Sequence, residues 1–181
     1  VPDRQAAGEI AEFDALAERL AAAFWPGPFT LVLPLRDDAP VTRAVTAGLP
    51  TIALRCPAHP VMHGLLLASG LNLAAPSANA SGGISPTRAE HVAVGLVEAV
   101  PLIIDAGPCR EGLESTIVAV RENGWQVLRP GPVTVEQLEA ATGMPPLHGG
   151  GDKIEAPGQL VSHYAPSKPV RLNARQADAE E

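Results

Sequence analysis

The first part of the chain has hydrophobic residues at helical spacing, followed by a short apolar run. Five apolar side chains between residues 9 and 24 stand three or four positions apart: Ile10, Phe13, Leu16, Leu20 and Phe24. This spacing places them on one face and predicts a helix over residues 9–24. A Pro-Gly-Pro sequence at 26–28 interrupts the pattern, and FTLVLPL at 29–35 predicts a buried strand. The chain is therefore expected to begin with a helix that leads into a strand.

Helical and extended patterns continue to alternate as far as residue 143. Strands are predicted at residues 50–55, 71–75 and 101–105, and helices at residues 61–70, 87–97 and 134–143. Two further apolar runs, at 115–120 and 125–130, flank a turn-like sequence and predict a hairpin. Helices interleaved with strands, together with one hairpin, predict an α/β (α+β) fold. Its core would be an open, twisted sheet of mixed strand direction flanked by helices.

The composition changes after residue 143. Proline and glycine become frequent and no apolar period is sustained, which is typical of a linker or an extended arm. We therefore predict one domain over residues 1–143 and a Pro/Gly-rich linker over residues 144–181.

The charge and the cysteines narrow the functional classes. The net charge of -7 and the pI near 5.2 argue against tight binding of nucleic acid, which usually requires a basic surface. Cys56 and Cys109 lie far apart and form no CxxC pair, as expected in a reducing cytoplasm. No apolar run approaches the roughly 20 residues that span a bilayer, so we expect no membrane association.

The segment LNLAAPSANASGGISPT at 71–87 combines an apolar run with many hydroxyl groups. Turns use serine, asparagine, glycine and proline, so the simplest interpretation is a turn without a binding role. A serine nucleophile is disfavoured, because the only lysines, Lys153 and Lys168, belong to no S-x-x-K or K-T-G element, and no G-x-S-x-G is present. The remaining hypothesis is a cradle for a polar ligand.

Two other kinds of site have less support in the sequence. Cys56, His59 and His63 could converge on zinc, with Cys109 or water as the fourth ligand, but a core cysteine and a helix start are the favoured interpretation. A phosphate-binding Walker loop is absent from the sequence. What remains is a phosphate or nucleotide site made of hydroxyls, backbone amides and the strand-end arginines Arg55 and Arg129.

Six short motifs carry a resemblance to a known family. They are FWPGPFT at 24–30, TIALRCP at 51–57, APSANASG at 75–82, SPT at 85–87, ESTIV at 114–118 and LRPG at 128–131. In this order and spacing they resemble the YrdC-like threonylcarbamoyl-AMP synthases, which implies a YrdC-like sheet. SHYAP at 162–166 is similar to the linker of the longer, two-domain form of these enzymes.

The resemblance implies a nucleotidyltransferase. Such enzymes join L-threonine, bicarbonate and ATP into L-threonylcarbamoyladenylate and pyrophosphate, the first step of threonylcarbamoyladenosine modification. Downstream tRNA threonylcarbamoyltransferase proteins then modify ANN-decoding tRNAs, so the synthase itself need not bind tRNA. Because the threonine carbamate would attack the α-phosphate, the protein mainly positions reactants and neutralises charge. ATP is expected as a substrate, accompanied by Mg²⁺.

The resemblance also implies roles for individual residues. The expected ATP contacts are Thr51, Ser77, Ser85, Arg129 and Tyr164. The expected L-threonine contacts are Arg55, through its guanidinium, Ala75 and Ser115. Asn79 and Gly82 are expected to organise the loop rather than to contact a ligand. No side chain is assigned as a catalytic group or a metal ligand.

The sequence departs from the family at both ends. The family's Lys-x-Arg element has no counterpart, since no lysine precedes Lys153, and only a short stretch follows Pro166. The expectation is an internal fragment that lacks the N-terminal lysine/arginine segment and the C-terminal domain. Two alternatives remain open: an inactive nucleotide-binding fragment, and a YrdC-like domain of a carbamoyltransferase. The SHYAP motif disfavours the latter.

Overall fold

The computed structural model describes residues 1–80, 82–96 and 99–148, which fall into two compact units. The first comprises Val1–Pro76 together with the described residues from Cys109 onward. The second comprises the described residues of Ser77–Pro108. The predicted division into a domain at 1–143 and a linker at 144–181 stays a prediction, since most of the linker lies outside the described residues.

A four-stranded sheet forms the centre of the first unit. Its strands are β1 (Phe29–Pro34), β2 (Thr51–Arg55), β3 (Thr116–Arg121) and β4 (Gly124–Arg129). The spatial order is β2-β1-β3-β4, in which β1 pairs antiparallel with β2 and parallel with β3, while β3 and β4 form an antiparallel hairpin. This confirms the predicted fold class, an open mixed sheet with helices.

Helices are α1 (Arg4–Gly8), α2 (Ala15–Phe24), α3 (Arg43–Thr46), α4 (Pro60–Ser69), α5 (Ala89–Leu96) and α6 (Val135–Thr142). Of these, α5 belongs to the second unit. The end of α4 at Gly70, which has a φ of 66°, is the glycine stop that the sequence predicts. Thr134 caps the start of α6 and forms a capping box with Gln137.

The helix predicted over residues 9–24 is wrong in its first half. Residues 10–14 are not helical, and Ala11 forms an isolated antiparallel bridge with Leu35 beside the end of β1. The carboxylate of Asp14 accepts hydrogen bonds from the backbone N–H groups of Leu16 and Ala17 and so begins α2. The apolar spacing continues through both segments because both bury their apolar side chains.

Two predicted strands do not form in the described residues. Residues 71–75 and 101–105 are extended or irregular, and both segments are exposed. An apolar run becomes a strand only when its backbone N–H and C=O groups find a neighbouring strand. Within the part of the chain that the structure describes, neither segment pairs with a strand.

The two faces of the sheet differ in character. On one face the alternate apolar residues of the strands pack against α2 and α6; this main core includes Phe29, Leu31, Leu33, Ile52, Leu54, Val118, Trp125, Leu20 and Leu138. The opposite face holds a smaller apolar cluster of Val32, Ile117 and Ala119. The polar strand residues discussed below share this second face.

Candidate functional site

One row of residues crosses all four strands on the second face of the sheet. Arg55 of β2 pairs with Thr30 of β1, Thr30 pairs with Ile117 of β3, and Ile117 pairs with Arg129 of β4. Directly opposed residues in neighbouring strands project to the same side of a sheet. The register therefore sets two arginines at the outer strands and a threonine between them.

Ser115, which directly precedes β3, is hydrogen-bonded to two members of this row. Its hydroxyl lies 2.8 Å from the hydroxyl of Thr30, and both side chains are buried. The guanidinium of Arg129 donates to the Ser115 carbonyl from Nε at 3.1 Å and from Nη2 at 3.0 Å. Nη2 also donates to Ser115 Oγ at 3.1 Å. Ser115 is thus fixed at both its main chain and its side chain.

Thr116, the residue after Ser115, anchors the same segment through its hydroxyl and its backbone N–H. Its hydroxyl donates to the Val133 carbonyl at 2.8 Å and accepts from the Val133 N–H at 2.9 Å. The Thr116 N–H in turn donates to the Pro28 carbonyl at 3.0 Å, directly before β1. The start of β3 is therefore tied both to β1 and to the segment after β4.

Positive charge is concentrated on this face. Arg55 is exposed at the end of β2, yet desolvation by the surrounding protein and the positive charge of Arg129 lower the pKa of its guanidinium. Both influences disfavour the charged form of Arg55. A bound anion would relieve the repulsion between the two arginines, so the chemistry of this face suits a carboxylate or a phosphate.

Two other predicted site residues belong to the same unit. Thr51 lies at the opposite end of β2 from Arg55 and, by alternation, on the same face. Four residue steps along the strand separate the two, a distance of roughly 13 Å. Ala75 is exposed in the irregular segment that follows α4. The structure therefore brings Arg55, Arg129 and Ser115 together, with Thr51 further along the face.

The second unit contains the serine-rich loop. Asn79 Nδ2 donates to the carbonyls of Ala80 and Gly83 at 2.8 and 3.0 Å, the geometry that a loop-organising role requires. Gly82 has a φ of 81°, which favours glycine. Ser85, with Asn79 and Gly83, lines an open concavity of about 350 Å³, and Ser77 is exposed beside it. Asn79 Oδ1 is buried without a hydrogen-bond partner in the described structure.

The remaining sequence-based expectations concern Tyr164, a zinc site and a membrane span. Tyr164 lies outside the described residues. Cys56 Sγ and His63 Nε2 each contact the Pro2 carbonyl oxygen, at 3.0 and 2.9 Å, rather than converging with His59. Across 1–80, 82–96 and 99–148, no group of three or more His, Cys, Asp or Glu side chains could hold a metal ion. In the same residues, no helix has the length and apolar character needed to cross a membrane.

Sequence reasoning missed the contributions of Thr30 and Thr116. Thr30 is the last residue of the motif FWPGPFT and the only hydroxyl in the strand FTLVLP, where each of its neighbours is apolar. A buried hydroxyl needs a hydrogen-bond partner, so this interruption of an apolar strand was the signal that could have found it. The partner itself, 85 residues away, could not be read from the local pattern.

Comparison with known proteins identifies the family. A family model for Sua5, YciO and YrdC proteins, described as telomere recombination, matches residues 1–131. The chain belongs to this family. The predicted resemblance is thereby confirmed. A second model, described as the C-terminal domain of threonylcarbamoyl-AMP synthase, matches residues 133–181.

Curated relatives of this chain are named threonylcarbamoyl-AMP synthases. The chain is 46% identical over 162 residues to a threonylcarbamoyl-AMP synthase of Bacillus subtilis, covering 86% of this chain and 46% of the relative. It is 45% identical over 159 residues to one of Pyrococcus abyssi, covering 85% of this chain and 46% of the relative. A crystal structure of P. abyssi Sua5 complexed with L-threonine superposes with a TM-score of 0.84 at 42% identity, covering 91% of this chain and 50% of that one. The chain thus spans about half the length of these relatives.

Proposed function

We propose that the protein is a threonylcarbamoyl-AMP synthase, which converts L-threonine, bicarbonate and ATP into L-threonylcarbamoyladenylate and pyrophosphate. The observation that carries the proposal is the row across the sheet, in which Arg55 and Arg129 lie on one face with the bonded hydroxyls of Thr30 and Ser115 between them. The names of the curated relatives and the L-threonine bound to the P. abyssi protein support it.

The threonine carboxylate would bind at Arg55. A guanidinium presents two parallel N–H donors to a carboxylate, and a bound carboxylate would offset the repulsion that Arg129 exerts on Arg55. Ser115 would supply a hydroxyl to the same amino acid, and Ala75 would contact it through its backbone. In this arrangement the carboxylate of L-threonine would lie against a cationic side chain, and the rest of the amino acid would lie against neutral groups.

The nucleotide would contact hydroxyls and the second arginine. Ser77 and Ser85 belong to the loop whose backbone is shaped by Asn79 and Gly82. The guanidinium of Arg129 would offset negative charge on the phosphates, for which a forked cationic donor is well suited. Thr51 and Tyr164 would complete these contacts.

The chemistry follows from positioning. The amino group of threonine and bicarbonate form a carbamate with loss of water, and a carbamate oxygen then attacks the α-phosphate of ATP while pyrophosphate leaves. This protein would hold the two reactants in line and stabilise the charge that develops, so no covalent intermediate on a side chain is required. The adenylate is released, and downstream tRNA threonylcarbamoyltransferase proteins in the cytoplasm would consume it.

Mg²⁺ would arrive with the nucleotide. This ion keeps several waters and is commonly held by substrate phosphates with one or two carboxylates. The described residues offer no cluster of three liganding side chains, so they supply no ready-made cage. The triphosphate would provide most of the ligands, and the ion would enter and leave as part of the substrate.

Pyrophosphate release tests the proposed function. The full-length protein is incubated with ATP, Mg²⁺ and bicarbonate, with and without L-threonine, and the adenylate is identified by mass spectrometry. We expect pyrophosphate and the adenylate in equal amounts, and only when all three substrates are present. L-valine, which has a methyl group in place of the threonine hydroxyl, is the control amino acid. Pyrophosphate release that is independent of L-threonine would overturn the proposal.

A further inference from the structure

Thr30 has no role in the proposed function, yet its hydroxyl forms a hydrogen bond with the hydroxyl of Ser115. The two oxygens are 2.8 Å apart, and the two residues are 8% and 3% exposed. Thr30 lies on the central strand β1, which is paired on both sides. Its position is therefore set by the sheet and not by a mobile loop.

The hydrogen atoms of this pair can be counted. A hydroxyl has one hydrogen to donate and two lone pairs that accept, whereas a guanidinium only donates. Arg129 Nη2 occupies one lone pair of Ser115 Oγ. Thr30 and Ser115 together hold two hydroxyl hydrogens but share a single hydrogen bond, so one hydrogen has no acceptor among the described residues.

The direction of the shared bond decides which hydrogen that is. If Thr30 donates, Ser115 Oγ accepts from both Thr30 and Arg129, and its own hydrogen is available to a ligand. Accepting two hydrogen bonds, one of them from a cation, polarises the Ser115 hydroxyl and makes it a better donor. If Ser115 donates instead, the hydrogen without a partner belongs to Thr30, and Ser115 has no hydrogen left to offer a ligand.

We propose that Thr30 is a positioning residue that donates to Ser115 Oγ and thereby directs the Ser115 hydrogen toward an oxygen of the bound amino acid. The inference rests on the proposed function, because it names L-threonine as the ligand that accepts this hydrogen. Thr30 itself does not touch the substrate. Its effect on binding is transmitted entirely through Ser115.

A double-mutant cycle tests whether Thr30 affects L-threonine binding through Ser115. Binding of L-threonine and of ATP to the full-length protein is measured separately by calorimetry for the wild type, Thr30→Val, Ser115→Ala and the double variant. We expect Thr30→Val to weaken L-threonine binding about tenfold and to change ATP binding less than twofold. In the Ser115→Ala background, Thr30→Val should cause no further loss.

Two further variants separate positioning from a general structural effect. Thr30→Ser keeps the hydroxyl and should retain L-threonine affinity within about twofold of the wild type. Thr142→Val removes a buried hydroxyl that bonds to Trp125 Nε1 and the Leu138 carbonyl, away from Ser115, and should leave L-threonine affinity unchanged. If Thr30→Val does not fold, Thr30→Ala removes the same hydroxyl without adding a methyl group and replaces it in the cycle.

The results distinguish the two proposals. A wild-type protein that binds no L-threonine would reject the proposed function. A wild type that binds, combined with a Thr30→Val variant that binds equally well, would reject the role of Thr30 alone. An equal loss on Thr30→Val in both backgrounds would also reject it, because the effect would then bypass Ser115.

Discussion

Gly131 lies against the backbone of Ser115. A Cβ atom at position 131 would stand 2.8 Å from the carbonyl carbon of Ser115 and 2.6 Å from the carbonyl oxygen of Glu114. Neither distance leaves room for a methyl group. The absence of a side chain at 131 therefore allows the segment after β4 to approach the segment that carries Ser115.

Substitution of Gly131 tests this close approach. Gly131→Ala should lower the free energy of unfolding by about 1–3 kcal/mol, because the new methyl group must push the two backbones apart. Urea unfolding followed by circular dichroism measures the change. L-threonine affinity should fall as well, since Ser115 is displaced.

Gly64 provides the matched control. It lies within α4, and no heavy atom lies within 4 Å of a Cβ built at this position. Gly64→Ala should raise the free energy of unfolding by about 0.5–1 kcal/mol through helix propensity. A Gly131→Ala protein as stable as the Gly64→Ala protein would contradict the contact with Ser115.

Thr116 offers a second test of the same segment. Thr116→Val preserves the side-chain shape but leaves the buried N–H and C=O of Val133 without their hydroxyl partner. We expect a loss of about 2–4 kcal/mol in the free energy of unfolding, from two unsatisfied backbone groups. Thr116→Ser keeps both hydrogen bonds and should lose less. Equal losses in the two variants would show that packing, and not hydrogen bonding, ties this segment.

The positive charge of Arg55 alone should not be sufficient to bind L-threonine; the forked geometry of its guanidinium should also be required. Arg55→Lys keeps the positive charge but loses the forked pair of donors, so L-threonine should bind about tenfold more weakly. ATP affinity should change less. Arg43→Lys, at an exposed arginine of α3, is the control and should alter neither affinity. Calorimetric titration of both ligands gives the comparison, and an unchanged L-threonine affinity in Arg55→Lys would argue against a bidentate contact.

Cys56 should give the protein a pH dependence on the alkaline side. Burial raises the pKa of its thiol above the ordinary value of 9.0. The raised pKa favours the folded form when the thiol is protonated. The stabilising contribution of Cys56 to the free energy of unfolding is therefore present below pH 9.0 and is lost as the pH rises through the folded pKa. The free energy of unfolding, measured at about pH 8 and about pH 10, should fall less in Cys56→Ala than in the wild type. Equal decreases would show that the pKa of the thiol is the same in the folded and unfolded states.

Local sequence patterns predicted the helices well where the residues that start or end a helix are visible in the sequence. The proline and glycine that bound α4, and the capping box of α6, are visible in the sequence and act within a few residues. The predicted helix at 9–24 failed because Ala11 pairs with Leu35, a contact that helical spacing cannot reveal. The strands predicted at 71–75 and 101–105 failed for the related reason that a strand depends on a distant partner.

The same limit applies to the candidate site. Arg55, Arg129 and Ser115 were found through motifs, each within a few residues of sequence. Their alignment depends on the register of β2 with β1, of β1 with β3 and of β3 with β4. Only the last of these pairings is a local hairpin. The hydrogen bond between Thr30 and Ser115 could therefore not be predicted from either segment alone.

The parallel pairing of β1 with β3 also sets an order of events during synthesis. Thr30 and Ser115 are separated by 85 residues. The ribosome completes α2, β1 and β2 before β3 is made, so a nascent chain can pair β1 with β2 while the other edge of β1 is still unoccupied. Closing so long a loop is entropically costly and slow compared with forming a hairpin. The face that carries Arg55 and Arg129 is consequently completed late, and a translational arrest before residue 116 leaves a partly folded chain that exposes the edge of its central strand.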